Sequence, residues 1–563
     1  MSFFKSYFRL LRTKASVRFG SFFSIVVLAI VISSVMGMES LKSKRAIISS
    51  ISPAIGSSEE LMTIRGEGFG DEQEESYVSI AGYRVTSSHY LSWSDSEIRL
   101  NIPYNVQDGL VKVVTKRGES EPSFFANRSN IPQSIRSDLL SSVPVISRIE
   151  PEEAAPGDLI SIKGTGFGVS RLSSDILFTA NRVGSSLPKA DSETMFAASI
   201  SEYPWNYWSD NEIRVRVPDG AASGAVQVRT SKGSSQGYPF KVSFTAGKKS
   251  YVDRQIYVVQ TAVDIENGQE AALGEITLYM PRPVLSASQP SAEYREVKPD
   301  AFIDNDRGDI VFRTKEMTGK ENRQSFSASA VITVYGVESS INEKKLPPYS
   351  SETLSLYKSF MAIEQQLPSD VTAVAELASE ICGKEKGLYR KARLIYDYMR
   401  KNYKVQSVLR SGQSDHMDLP KRKTGDSFDF AAMYVSLCRA SGIAAVQISG
   451  VLVDEGGGSH IHSWAEIYLE DFGWFPVDLS LACGLQYNGF PAREDCADYY
   501  FGNMDNRHIA YSRGTRSIKA SMSNNRIVRR PRSYAMQTLW EESSAAKSSY
   551  SSYWTDPIIT GIY

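Results

Sequence analysis

Residues 98–102 read "IRLNI" and residues 213–217 read "IRVRV", apolar and polar in strict alternation. Alternation sends successive side chains to opposite faces of an extended chain, so both stretches predict half-buried strands. The same period runs through "VKVVT" (111–115), "RQIYVVQTAVDI" (254–265), "GEITLYMPRP" (274–283), "GDIVFRTKE" (308–316) and "SASAVITVYGV" (327–337). From about Tyr349 the spacing lengthens. "AVAELASEICG" (373–383) and "LYRKARLIYDYMRKNY" (388–403) carry apolar residues at helical intervals, and Gly383 supplies a helix stop. A further helix is predicted after Gly425-Asp426, ending at Ser441-Gly442. Phe428, Ala431, Ala432, Val435 and Cys438 form one of its faces; Phe430, Met433, Tyr434 and Leu437 cover most of the remainder. A helix apolar nearly all round is a buried one, which makes Cys438 a core residue.

The strand-rich first part repeats. "TIRGEGFG" (63–70) answers "SIKGTGFG" (161–168), "WSDSEIRLNIP" (93–103) answers "WSDNEIRVRVP" (208–218), and "GLVKVVTKRG" (109–118) answers "GAVQVRTSKG" (224–233). Short strands separated by regular turn residues predict β-sandwiches. The glycine-rich segments are not phosphate cradles, because no helix start follows them; they read as strand-to-strand turns. Both units closely resemble IPT/TIG domains, immunoglobulin-like modules, over about residues 50–127 and 144–243. The resemblance implies spacers or binders of protein or glycan. Residues 250–350 lack the glycine signature and predict a further β-domain.

Composition is ordinary for a globular chain: 563 residues, 42% hydrophobic, 23% charged and a net charge of −1. The length suggests roughly three to five domains, and the balanced charge gives no footing for nucleic acid. The N-terminus departs from this balance. Lys5, Arg9, Arg12, Lys14 and Arg18 precede an uncharged stretch over 19–38, and no acid occurs before Glu39. About 20 apolar residues span a bilayer, and a basic flank keeps that end in the cytoplasm. The expectation is a basic cytoplasmic segment (1–18), then a single-pass anchor or a signal sequence (19–38), with the bulk of the chain in the periplasm or on the cell exterior. Four cysteines, Cys382, Cys438, Cys483 and Cys496, are too few for a disulfide framework; Cys483 and Cys496 are close enough in sequence either to pair or to remain thiols. Residues 521–563 are basic at first and then rich in serine and tyrosine, which predicts an irregular tail.

Chemistry concentrates between residues 423 and 480. "AAVQISGVLV" (444–453), "HIHSWAEIYLED" (460–471) and "FGWFPVDLS" (472–480) predict strands, the last two joined by a short turn near 470–473. A three-residue loop there would put His462 and Asp478 on one face; a two-residue loop would not. An imidazole held by a carboxylate is the usual form of a catalytic base. "GDSFDFAAMYVSLCRASGIAA", "HSWAEIYLEDFGWFPVDLS" and "YYFGNMDNRHIAYSRG" closely resemble transglutaminase-like domains over about 355–520. The resemblance implies an α+β papain-like fold and a Cys-His-Asp triad. Its histidine falls on His462 and its aspartate on Asp478. Its cysteine falls on Ser427.

A cysteine at a helix start beside histidine rests as a thiolate. A serine there must give up its proton during attack, and Asp426 and Asp429 on either side disfavour an alkoxide. Three readings of Ser427 follow: a helix cap in an inactive domain, a nucleophile in a Ser427-His462-Asp478 triad, or a surface residue. The first leads to a non-catalytic protein that binds a protein or a cell-wall peptide at the bacterial envelope. The second leads to an acyl transferase or amide hydrolase. No cofactor is implied. A metal site is also not expected: His460 and His462 share a strand face near Asp454, Glu455 and Asp478, but no third histidine is close in sequence. His89, His416 and His508 show no partners in the sequence.

Overall fold

The computed structural model describes residues 45–563 apart from 105, 129–142, 172–173, 183–194, 199–202, 204–206, 269–273, 307, 316, 320–321, 362–370, 411–418, 488, 515–524, 531, 537–538 and 544–548. The apolar stretch 19–38 and His416 lie outside these residues. Among the described residues, no helix is long and apolar enough to cross a membrane.

The two repeats fold alike. In the first, strands Ile47–Ser52, Leu61–Glu67, Glu97–Asn101 and Tyr90–Trp93 pair in that order; in the second, Val145–Glu150, Leu159–Thr165, Glu212–Arg216 and Tyr207–Trp208 do the same. A second sheet faces each. Register irregularities also coincide, between Ile48 and Ser50 and between Ile146 and Arg148. The glycine motif explains itself here. A Cβ on Gly66 would stand 1.9 Å from the Ile47 carbonyl oxygen, and one on Gly164 1.9 Å from that of Val145. The bare backbone lets Phe69 and Phe167 turn into the cores, where each is 1% exposed. Their carbonyls accept the indole N–H of Trp93 at 3.2 Å and of Trp208 at 3.1 Å. The motif is therefore a packing device. The first module forms one compact unit, and the second module with everything after it forms another.

The β-domain is built on two long strands, β1 (Gly247–Asn267) and, after the shorter β2 (Ile276–Pro281), β3 (Arg323–Ile341). β1 and β3 pair antiparallel over most of their length. Val263, Ile265, Leu278, Met280, Phe312 and Phe326 are all buried in one cluster between its two sheets.

The α+β core follows. Helices α1 (Val371–Cys382) and α2 (Leu388–Asn402) flank α3 (Ser427–Ala440). Strands β4 (Ala445–Val453), β5 (Ser459–Leu469), β6 (Gly473–Val477) and β7 (His508–Arg513) make one antiparallel sheet in the order β6-β5-β4-β7. Helix α3 is buried almost all round against this sheet, as its composition requires, and Cys438 is fully buried in it.

The predicted irregular tail is instead structural. Residues Arg526–Arg529, β8 (Trp540–Ser543), β9 (Tyr550–Trp554) and β10 (Ile558–Ile562) are strands. β9 and β10 pair with β1, and β8 pairs with β2. They complete both sheets of the β-domain. Trp540 stacks on Tyr279 with ring centroids 3.8 Å apart. Each strand has four or five residues, and none shows a readable alternation alone; the long partners supply the hydrogen bonds.

Candidate active site

The start of α3 is a capping box. The Asp426 carboxylate accepts the Asp429 N–H at 2.9 Å, and the Asp429 carboxylate accepts the Asp426 N–H at 3.3 Å. The N-cap is thus Asp426. Ser427, expected as a cap, is the first helical residue, and at 1% exposure it is not a surface residue either. Its Oγ accepts the Ser463 N–H at 3.3 Å.

The two buried acids are neutralised from two directions. Arg532 donates to Asp426 at 2.8 and 2.9 Å and to Asp429 at 2.8 Å. Arg410 donates to Asp429 at 2.7 and 2.8 Å. Burial alone would raise the Asp429 pKa, but the guanidinium bonds outweigh it and hold the carboxyl below its ordinary range. Arg532 comes from the segment predicted to be an irregular tail.

Leu469 opposes Gly473, so three residues form the β5–β6 loop. Asp471 and Gly473 take positive φ of 60° and 89° to close it. A Cβ on Gly473 would stand 2.0 Å from Asp219 Oδ1, so only glycine fits. The loop length puts His462 and Asp478 on one face. His462 Nε2 lies 2.6 Å from Asp478 Oδ2, and both side chains are fully buried. Asp478 also caps the short helix Leu479–Ala482: its Oδ1 accepts the Leu481 N–H at 2.9 Å and the Ser480 hydroxyl at 2.8 Å.

Two residues that the sequence did not single out complete the site. His508, read as partnerless, points Nε2 at Asp478 Oδ2 (3.1 Å) and Nδ1 at Asp505 Oδ1 (2.9 Å). Burial disfavours its charged form, but the two carboxylates outweigh burial and push its pKa up to about 9. Asp478 lies well below its usual range and Asp505 is lowered too: burial opposes both shifts, and the histidines that donate to them prevail. Asp505-x-x-His508 is an i,i+3 pair at the start of β7, a legible spacing, but nothing local ties it to Asp478. The other residue is Tyr487, whose hydroxyl lies 3.4 Å from His462 Nδ1. Burial and the Asp478 charge raise the Tyr487 pKa far above the phenol range, with the Ser427 hydroxyl acting the other way.

His460 does not join this group. It pairs with Asp454 at 3.0 Å and stacks on Tyr487. Glu455 lies 3.9 Å from Arg507. His89 is buried in the first module with Nδ1 2.8 Å from Thr86 Oγ1. All four cysteines are free thiols, Cys483 and Cys496 included. Burial raises the Cys438 thiol pKa beyond reactive range.

A carboxylate-oriented imidazole at a helix start is the arrangement that activates a nucleophile for acyl transfer. Among the described residues, however, Ser427 Oγ makes no hydrogen bond to His462. Its bond goes to the Ser463 N–H, and the free side of His462 faces Tyr487. The ligand atoms of His462, Asp478 and His508 lie within 4.8 Å of one another.

Comparison with known proteins agrees with the architecture. Residues 375–479 match the transglutaminase-like superfamily, and residues 46–128 and 144–245 each match the IPT/TIG domain. An uncharacterized protein of Haemophilus influenzae is 28% identical over 170 residues, which are 25% of this chain and 46% of that protein. The chain thus spans about half the length of that relative. Among solved structures, a candidate cysteine protease from Cytophaga hutchinsonii matches 56% of this chain and 92% of its own at 15% identity, with a TM-score of 0.35. The periplasmic domain of TgpA from Pseudomonas aeruginosa matches 42% and 88% at 14% identity, with a TM-score of 0.23.

Proposed function

For this chain, which carries two IPT/TIG domains and a transglutaminase-like core, we propose a catalytically silent role at the bacterial envelope. The N-terminal apolar stretch holds it to the inner membrane as a single-pass anchor, with the remainder outside the cytoplasm. The core binds a protein or a cell-wall peptide and returns it unchanged. The IPT/TIG modules space the core from the membrane and add contact surface. No nucleic acid takes part.

The observation that carries this reading is the pairing of Ser427. An alkoxide must be made at the moment of attack, so the hydroxyl has to hand its proton to His462 along a short hydrogen bond. Here that bond is not made, and Tyr487 fills the free side of the imidazole. The helix dipole offers only about 0.3–1 kcal/mol, far too little to ionise a serine unaided. One feature favours the second reading, acyl transfer or amide hydrolysis. The 2.6 Å His462–Asp478 pair is complete and fully buried. In that case Ser427 attacks, His462 takes and returns the proton, and Asp478 orients His462.

Incubation with isolated cell-wall sacculi separates the two. The proposal expects the purified chain to co-sediment with sacculi while the masses of the recovered peptides stay unchanged. Cleaved or newly cross-linked peptides that disappear with His462→Ala would overturn it in favour of the enzyme.

A further inference from the structure

His462, Asp478 and His508 come from three strands or strand ends and converge on a single point. Both imidazoles aim Nε2 at the same oxygen, Asp478 Oδ2, at 2.6 and 3.1 Å. All three side chains are at most 3% exposed. His508 already has Asp505 at its Nδ1, so the convergence of both Nε2 atoms on one buried oxygen goes beyond what ion pairing requires.

We propose that His462, Asp478 and His508 form a binding site for a divalent transition metal of the kind imidazole prefers, such as Zn2+ or Co2+. Two histidines and a carboxylate are a known three-ligand set for zinc, with the fourth place left to water. Metal–ligand bonds of about 2.0–2.2 Å set ligand atoms roughly 3.3 Å apart in a tetrahedron. The two histidine–carboxylate separations, 2.6 and 3.1 Å, differ from that by less than about 1 Å, and all three ligand atoms lie within 4.8 Å of one another, so side-chain shifts admit the ion.

The surroundings point the same way. Metal-bound histidines hold their other ring nitrogen against a carboxylate or another acceptor. His508 Nδ1 is held by Asp505 Oδ1 at 2.9 Å, and Asp505 is in turn held by the Tyr500 hydroxyl at 2.9 Å. The far side of His462 faces the Tyr487 hydroxyl at 3.4 Å. The second oxygen of Asp478 is fixed by Ser480 and the Leu481 N–H, which leaves Oδ2 for the ion. A cavity of about 50 Å³, bordered by His508, Asp505, Trp464 and Arg513, adjoins the site. Metal binding needs an unprotonated Nε2 on both imidazoles, so uptake is expected to weaken as pH falls.

Peptide retention and metal uptake are measured separately, so failure of one leaves the other standing. It would also account for a retained histidine–aspartate pair in a domain without a working nucleophile. The test is a Co2+ titration of the purified full chain after chelator treatment, read by visible absorption and then challenged with Zn2+. One Co2+ per chain with the absorption of a four-coordinate ion, displaced by Zn2+, is expected. Asp505→Asn should weaken binding about 10–100-fold, and His508→Ala should abolish it. His460→Ala and Cys483→Ser should bind as the wild type does. If His508→Ala fails to fold, Asp505→Asn decides, with circular dichroism reporting its fold. No bound Co2+ in the wild type, unchanged binding in Asp505→Asn, or loss in His460→Ala or Cys483→Ser would each overturn the site.

Discussion

Ser427 shows how one position separates scaffold from chemistry. The capping role belongs to its neighbour Asp426, and the serine is left to bond the Ser463 N–H. The pair His462–Asp478 was legible in the sequence because turn length alone decides which face a hairpin residue occupies. His508 was not, because its contact with Asp478 spans 30 positions and depends on β7 joining the far edge of the sheet. Arg532 was hidden for the same reason, acting across 106 positions on Asp426. Its effect is measurable. Asp429 has a lowered pKa, so its contribution to stability is present above the ordinary aspartate value of about 3.9 and is lost as pH falls through the lowered one. Arg532→Ala should destabilise the core by about 3–5 kcal/mol at neutral pH, because two buried carboxylates lose a partner. It should also move acid unfolding, followed by circular dichroism, to higher pH. An unchanged acid midpoint would show that Arg410 and Arg422, the latter 3.4 Å from Asp429, suffice.

At the scale of elements, the lesson is in the C-terminal strands. "WEES", "YSSYW" and "IITGI" carry no period of their own, yet they pair with β1 and β2. Strand identity there is conferred by the partner, which a reading confined to local pattern cannot see. The longer elements were legible because burial imposes their period: α3 as an all-round apolar helix, and β5 and β6 as a hairpin. A chain ending at Gly514 should therefore lose both the β-domain and the Arg532 clamp, and come out insoluble or protease-sensitive beyond about residue 247. Trp540→Ala, which removes the ring stacked on Tyr279, should cost about 3–5 kcal/mol; a denaturation midpoint close to wild type would show that the β8 pairing does not depend on that ring.

Across the whole molecule, the second IPT/TIG module, the β-domain and the core meet at a buried polar junction. Asp219 of the module pairs with Lys249 of β1 and accepts the Trp474 N–H of β6 at 2.8 Å; Lys249 also donates to the Trp474 carbonyl at 2.7 Å. The repeats themselves were plain in the sequence, because their signatures recur in order. The junction was not, since each of its members looks like an ordinary surface residue in its own segment. Lys249→Met should leave a buried carboxylate unpaired, cost about 3–5 kcal/mol, and lower the melting of module and core together. Separate transitions, with only one of them moved, would show that the parts do not share the junction's energy.

The central claim is that the core keeps a transglutaminase-like scaffold without a working nucleophile. The most direct measurement is side-by-side labelling of the purified wild type, Ser427→Ala and Ser427→Cys with a serine-reactive phosphonate and with a thiol-alkylating probe. The account predicts no phosphonate label on the wild type. It also predicts alkylation of Ser427→Cys at residue 427 that persists below the ordinary thiol pKa of about 8.5, because a helix start lowers the pKa of a thiol. Phosphonate labelling of the wild type that vanishes in Ser427→Ala would contradict it and make Ser427 a nucleophile.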